Sequence, residues 1–352
     1  MKKHLNILIL VWIVALGLGV SLRFKKEFYL SLDRARQASA QFLDVVEKKI
    51  FLSETKKILH YIQDDILSSR EINLLFVGDI MLSRDVGKVM KAMNSYAYPF
   101  LKIADEIKEA DLAFGNLENP ISNRGKNQGS VYSFRADPKV IDGLKFAGFD
   151  ILSLANNHIW DWGGEALIQT LDILKNNGIQ SVGAGSNETQ ANRAVIFDIK
   201  NIKIAYLAYT NLYPESLEAR SERLGISNFD LGEIEKKINN LKHDGVDIVI
   251  VSMHWGDEYQ LQSNDEQQRI GRILVDVGAN LVIGHHSHVV QEVEHYKNGY
   301  IAYSLGNFVF DQNFSSETME GLMLNVVLKN NIIERVKPIK IKILETFQPY
   351  VE

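Results

Sequence analysis

Leu281-Val282-Ile283-Gly284-His285-His286-Ser287-His288 decides how this chain is read. A short apolar run bounded by glycine reads as a buried strand. Three histidines in the next four positions make the end of that strand chemically unusual. The same grammar recurs along the chain. Leu74–Val77 runs into Gly78-Asp79, and Leu112–Phe114 into Gly115-Asn116-Leu117-Glu118. Ile151–Leu154 runs into Ala155-Asn156-Asn157-His158, and Ile248–Ser252 into Met253-His254-Trp255-Gly256. Ile301–Ser304 leads to Leu305-Gly306-Asn307-Phe308-Val309-Phe310-Asp311. Ile179–Val182, Ala194–Phe197 and Lys203–Ala208 are further strand candidates. Between them, Pro138–Ala147, Gly164–Asn176, Leu231–His243 and Glu266–Val277 have helical periodicity. Strands alternating with helices predict an α/β sheet protein. Leu322–Leu328 and Ile332–Leu344 add two strands around an Asn330-Asn331 turn.

In open α/β sheets, ligands collect beyond the carboxyl ends of the strands. Five of the nine histidines (His158, His254, His285, His286 and His288) fall at such ends, beside Asp79, Glu118 and a paired asparagine. Each residue alone has an ordinary reading, because Asp caps helices and single histidines sit satisfied in cores. Their joint placement points to a metal site. The chain has no cysteine, which excludes disulfides, thiolate zinc sites and a cysteine nucleophile. Nitrogen and oxygen ligands suit one or two divalent transition metals, Zn, Mn or Fe. Two ions bridged by a carboxylate can clamp a phosphoryl group and activate water.

The bulk numbers fit a large folded protein. Of 352 residues, 46% are hydrophobic and 24% charged, which argues against extensive disorder. A net charge of −5 offers no broad basic surface, so no nucleic-acid partner is expected. Leu5 to Leu22 is apolar apart from Asn6 and Ser21, long enough for a membrane helix. Residues 1–26 read as a transmembrane anchor. A cleaved signal peptide is the competing reading, and Gly17-Leu18-Gly19-Val20 gives it a poor cleavage pattern. Lys2 and Lys3 before the run and Arg23, Lys25 and Lys26 after it leave the orientation open. Residues 27–70 repeat apolar positions at helical spacing and read as a helical connector, and residues 71–352 form the main domain.

Gly78-Asp79-Ile80-Met81-Leu82, Asn116-Leu117-Glu118, Asn156-Asn157-His158, His254-Trp255-Gly256, Gly284-His285-His286-Ser287-His288 and Ser304–Asp311 together resemble the ordered motifs of the CapA family. These are the capsule and poly-γ-glutamate synthesis proteins, also called PgsA. The family is similar to calcineurin-like metallophosphoesterases, which implies a four-layer α/β/β/α sandwich. The resemblance implies Asp79, Glu118, Asn157, His254, His286 and His288 as metal ligands, with Glu118 in the bridging place. It implies His158 as the catalytic proton donor and leaves His285 as a spare or supporting group. Two positions depart from the phosphoesterase pattern. Met81 stands where a ligand histidine is found, and Ile159 where an acid often follows the Asn-His pair.

Three functions follow from the resemblance. The first is a membrane-anchored capsule protein with its main domain outside the cytoplasm. Its expected partners are an anionic polymer, poly-γ-glutamate, and a membrane synthetase complex. The second is an extracytoplasmic metal-dependent hydrolase of phosphorylated substrates. The third is a non-catalytic assembly factor, the reading that Met81 favours. Trp160, Trp162 and Trp255 are pocket walls or core residues, and Tyr209–Phe229 is a lid or a surface loop. Arg84 and Arg135 either meet an anionic substrate or are tied in salt bridges.

Overall fold

Ile72-Asn73-Leu74-Leu75-Phe76-Val77 is apolar on both faces, the pattern of a strand buried on both sides. It opens β1 (Ile72–Ile80), whose Leu74 and Phe76 face one apolar cluster and whose Leu75 and Val77 face another. The structure, a computed structural model, describes residues 71–352. The expected anchor over residues 1–26 and connector over residues 27–70 lie outside the described residues. Among the described residues, no helix is long and apolar enough to cross a membrane.

Two sheets carry the fold. In the first, the order is β16 (Pro349–Val351), β15 (Ile332–Ile343), β14 (Glu320–Lys329), β1, β2 (Leu112–Leu117), β3 (Ile151–Ser153) and β4 (Gln180–Val182). A short strand, β13 (Asn307–Val309), also pairs with β1. Strands β1 to β4 are parallel and β14 to β16 antiparallel. The second sheet runs β11 (Val293–Tyr296), β12 (Gly299–Ala302), β10 (Leu281–His285), β9 (Ile248–His254), β7 (Ile202–Thr210) and β6 (Val195–Ile199). Its central strands are parallel, its edges antiparallel.

Three apolar clusters set the layers. Phe76, Phe114 and Ile151 of the first sheet pack with Tyr206, Ile250 and Ile283 of the second. On the far side of the first sheet, Val77 and Leu152 meet Met90, Leu144 and Leu167. These come from helices Arg84–Ala92, Val140–Ala147 and Gly163–Asn176. On the far side of the second sheet, Leu207, Val251 and Val282 meet Ile234, Ile238, Ile270 and Leu274. These come from helices Leu231–His243 and Asp265–Asp276. Helix, sheet, sheet and helix therefore stack in turn, because each sheet has two apolar faces to cover.

The strands run further than their apolar runs predict. Asp79 lies inside β1, level with Asn116 of β2 and Asn307 of β13. Strand β9 ends on His254, which pairs with His285 at the end of β10. Backbone pairing continues where the side chains turn polar, since the ladder needs only N–H and C=O groups. The expected turn at Asn330-Asn331 is present, both residues in the left-handed region, as a two-residue hairpin of the primed type requires. Two glycines allow the strand ends to close on their neighbours. A Cβ on Gly78 would lie 2.0 Å from the carbonyl oxygen of Gly306, and one on Gly284 1.8 Å from that of Tyr303.

Candidate metal centre

The carboxyl ends of β1, β2, β9 and β10 deliver a buried cluster. Asp79, Asn116, Glu118, His254, His285, His286 and His288 are all buried, and Asn157 half-buried. Single donor atoms of Asp79, Glu118 and His288 lie within 4.8 Å of one another, and so do those of Glu118, His254 and His286. Glu118 belongs to both triads. Asn157 joins the second, its Oδ1 2.8 Å from His254 Nε2. The structure thus gathers all six ligand candidates read from the sequence.

The turn after β10 is strained. His286 has φ 94° and His288 φ 56°, in a region that costs a non-glycine residue on the order of 1–3 kcal/mol. The resemblance implies both residues as ligands. They converge through this left-handed turn, which places one imidazole in each triad. The backbone N–H of His286 donates to Asp79 Oδ2 at 3.2 Å, fixing the turn against β1.

Hydrogen bonds orient the ligand candidates. Asn307 Nδ2 donates to Gln312 Oε1 and to the carbonyl of Thr318, both at 3.0 Å. Its Oδ1 is therefore an acceptor, and at 3.0 Å it takes the proton of His288 Nδ1. With Nδ1 as the donor, His288 Nε2 is the ring nitrogen that faces Glu118 Oε1, at 3.6 Å. Among the described residues, Glu118 Oε1 has no hydrogen-bond partner, nor does His286 Nδ1. Buried lone pairs facing one another are costly unless a proton or a cation lies between them. With carboxylate and imidazole donors, the cluster fits a divalent transition metal. Asn116 Nδ2 supports it from behind, 2.8 Å from Asp79 Oδ1, 3.2 Å from Glu118 Oε2 and 3.4 Å from His254 Nδ1.

Burial pushes the Glu118 carboxyl well above the usual carboxylate range, and the charges of Asp79, Glu258 and Asp161 add to the rise. Burial acts on Asp79 in the same direction, but contacts with His285 and His288 outweigh it and hold that carboxyl well below its usual range. Two close carboxylates ionise unequally for this reason. Burial, then the charge of His286, pushes His254 well below the usual histidine range. Burial, then His288, lowers His286 to about 3. Both rings are neutral near neutrality, the form that binds metal.

His158 lies beside this cluster, its side chain 11% exposed. Its Nδ1 is 2.8 Å from Asp161 Oδ2, and its ring packs on Phe134 at 4.0 Å. Asp161 also accepts from Ser130 Oγ at 2.8 Å and from the Phe134 N–H at 2.7 Å. Sequence reasoning found no acid beside His158 because position 159 is isoleucine. One turn of chain brings the acid in three residues later. His285 takes a supporting place, its Nδ1 3.2 Å from Asp79 Oδ1 without hydrogen-bond alignment.

Met81 adds no nitrogen. Its sulfur accepts from Ser83 N and Oγ at 3.2 and 3.0 Å, and its side chain is part of the helix-covered core. Arg84 is tied to Asp311 by two hydrogen bonds of 3.0 and 2.6 Å, and Arg135 stacks on Trp162 at 3.5 Å. Trp255 is a core residue, its Nε1 donating to the carbonyl of Tyr303. Trp160 packs against the first sheet's helix-covered core. The Tyr209–Phe229 stretch is pinned down, since β8 (Gly225–Ile226) pairs with β5 (Ala184–Gly185) and Tyr213 accepts from the Trp160 N–H. Glu258 was missed. It is exposed, yet its carboxylate forms a third ligand group with His286 and His288.

The profile of the family described as bacterial capsule synthesis protein PGA_cap matches residues 73–312. The chain is 31% identical over 273 residues to the capsule biosynthesis protein CapA of Bacillus anthracis, a match covering 75% of this chain and 65% of that protein. The chain thus spans slightly less than two thirds of that relative. It is 32% identical over 282 residues to the PGA biosynthesis protein CapA of Bacillus subtilis, covering 79% and 72% of the two. Among solved structures, the calcineurin-like phosphoesterase YfkN of Bacillus subtilis aligns with TM-score 0.42 and 13% identity, over 77% of this chain and 90% of that one.

Proposed function

This chain belongs to the bacterial capsule synthesis protein family, and from that premise we propose that its folded domain serves capsule biosynthesis through a metal-dependent hydrolytic site. The observation that carries the reading is the pair of ligand triads meeting on Glu118. One or two divalent ions, Zn, Mn or Fe, would be held by Asp79, Glu118, Asn157, His254, His286 and His288. When bound, such ions supply Lewis acidity at the scissile centre and lower the pKa of water. The chain's own residues do the rest. Asp161 holds the His158 ring by Nδ1 and leaves its other nitrogen to carry a proton to the leaving group. Asn116 and Asn307 fix the orientation of the ligand groups.

The names of the relatives support an anionic polymer, poly-γ-glutamate, as the partner. The apolar run Leu5–Leu22 supports a membrane anchor, with the domain working outside the cytoplasm beside a membrane synthetase. Metal analysis of the purified full-length protein tests the centre. Stoichiometric transition metal that falls in His254→Ala is expected, and metal content indifferent to that substitution overturns the site. Turnover of simple phosphodiesters without polymer binding would instead favour the phosphoesterase reading. Met81 favours a non-catalytic role, which gains if folded ligand-site variants still restore capsule. Protease accessibility on intact cells tests the placement: an uncleaved domain in intact cells overturns it.

A further inference from the structure

The loop that follows β9 brings a carboxylate to the centre from the solvent side. Gly256-Asp257-Glu258-Tyr259 crosses the histidine turn, with the Tyr259 N–H donating to the carbonyl of Ser287 at 2.8 Å. Gln291 Nε2 donates to the carbonyl of Gln260 at 2.8 Å, and Asn264 Nδ2 to Asp257 Oδ2 at 2.8 Å. Gln312 Nε2 donates to the Tyr259 hydroxyl at 3.1 Å. Tyr259 itself adopts φ 62°, a strained value that these bonds hold in place. Glu258 is thus an exposed side chain on a fixed backbone. One of its oxygens lies within 4.8 Å of ligand atoms of both His286 and His288, one imidazole from each triad.

We propose that Glu258 is a metal ligand, a second carboxylate between the two ion positions that compensates for the nitrogen Met81 does not supply. The inference rests on the metal-site reading above. Three observations support it. Met81's sulfur is occupied by Ser83 and turned into the core, so the triad of Asp79, Glu118 and His288 lacks a fourth protein donor from that position. His286 Nδ1 is buried without a hydrogen-bond partner among the described residues. Glu258 is the exposed member of these ligand groups. As an exposed side chain it can leave the ions without opening the core, so an anionic substrate group would displace it first.

The test uses full-length protein stripped with chelator and titrated with Mn(II), read by metal analysis and electron paramagnetic resonance. Wild type is expected to take up two equivalents with an exchange-coupled signal. Glu258→Ala and Glu258→Gln should keep one tightly held ion and bind the other roughly 10–100-fold more weakly, with the coupled signal lost. Asp257→Asn, which alters the neighbouring charge and keeps a partner for Asn264, should behave as wild type. Two equivalents at unchanged affinity in both Glu258 variants overturn the inference and leave the site reading standing. Equal weakening in Asp257→Asn overturns it as well, because loop charge would then explain the loss. Wild type that takes up no Mn(II) overturns the site reading, and the inference with it.

Discussion

The two triads share Glu118 and differ in what completes them. His254 and His286 stand with Asn157, and all four donors come from strand ends or the turns directly after them. Asp79 and His288 stand without a donor from Met81, whose sulfur is bonded to Ser83 and buried among apolar side chains. Equivalent positions in one fold therefore do not give equivalent sites. A single residue whose side chain turns toward the core supplies no donor to its triad.

The strongest way to break this comparison is Glu118→Ala. Both triads lose their common carboxylate, so metal content should fall from two equivalents to near none, with the fold retained by circular dichroism. Loss of a single equivalent would show that Glu118 does not bridge. Next in size is His254→Ala, which should weaken the His254–His286 position by roughly 100-fold or more and spare the other. Competition titration with a chelating dye reads the two positions separately. Met81→His sharpens the contrast from the other side. It should tighten the Asp79–His288 position by about tenfold at some cost in stability, since Met81 is fully buried. An unchanged titration would show that position 81 does not reach the ion.

Smaller effects concern protons. Glu118 is raised above the carboxylate range, so its proton competes with metal until pH passes that raised value. His254 and His286 are lowered and already neutral there, so they add no competition near neutrality. Metal affinity should thus rise with pH, with proton release visible by calorimetry in buffers of different ionisation enthalpy. Asp161→Asn should leave metal uptake unchanged while lowering turnover about tenfold or more and shifting the acid limb of its pH profile. Unchanged turnover would remove His158 from proton transfer.

Much of the fold was legible because the central strands are continuous apolar runs ending in glycine and polar residues. Leu74–Val77, Ile248–Ser252 and Leu281–Ile283 announce themselves this way. The ligand candidates were legible because metals need specific donor types, and those types recur at strand ends. The helix Arg84–Ala92 escaped notice because Gly87 and its lysines blur the apolar period carried by Val86 and Met90. Asp161 and Glu258 escaped because neither sits at an expected motif position.

The sequence by itself determined the donor set and the strands that carry it, since hydrophobic periodicity and ligand chemistry are both local properties. Only the tertiary structure decided how those donors are shared. It shows Glu118 common to two triads, Met81 turned away to Ser83, Asp161 behind His158 and Glu258 arriving from a loop. These are relations between side chains on different elements, set by strand register, by the left-handed turn at His286 and His288, and by the close packing that Gly78 and Gly284 permit.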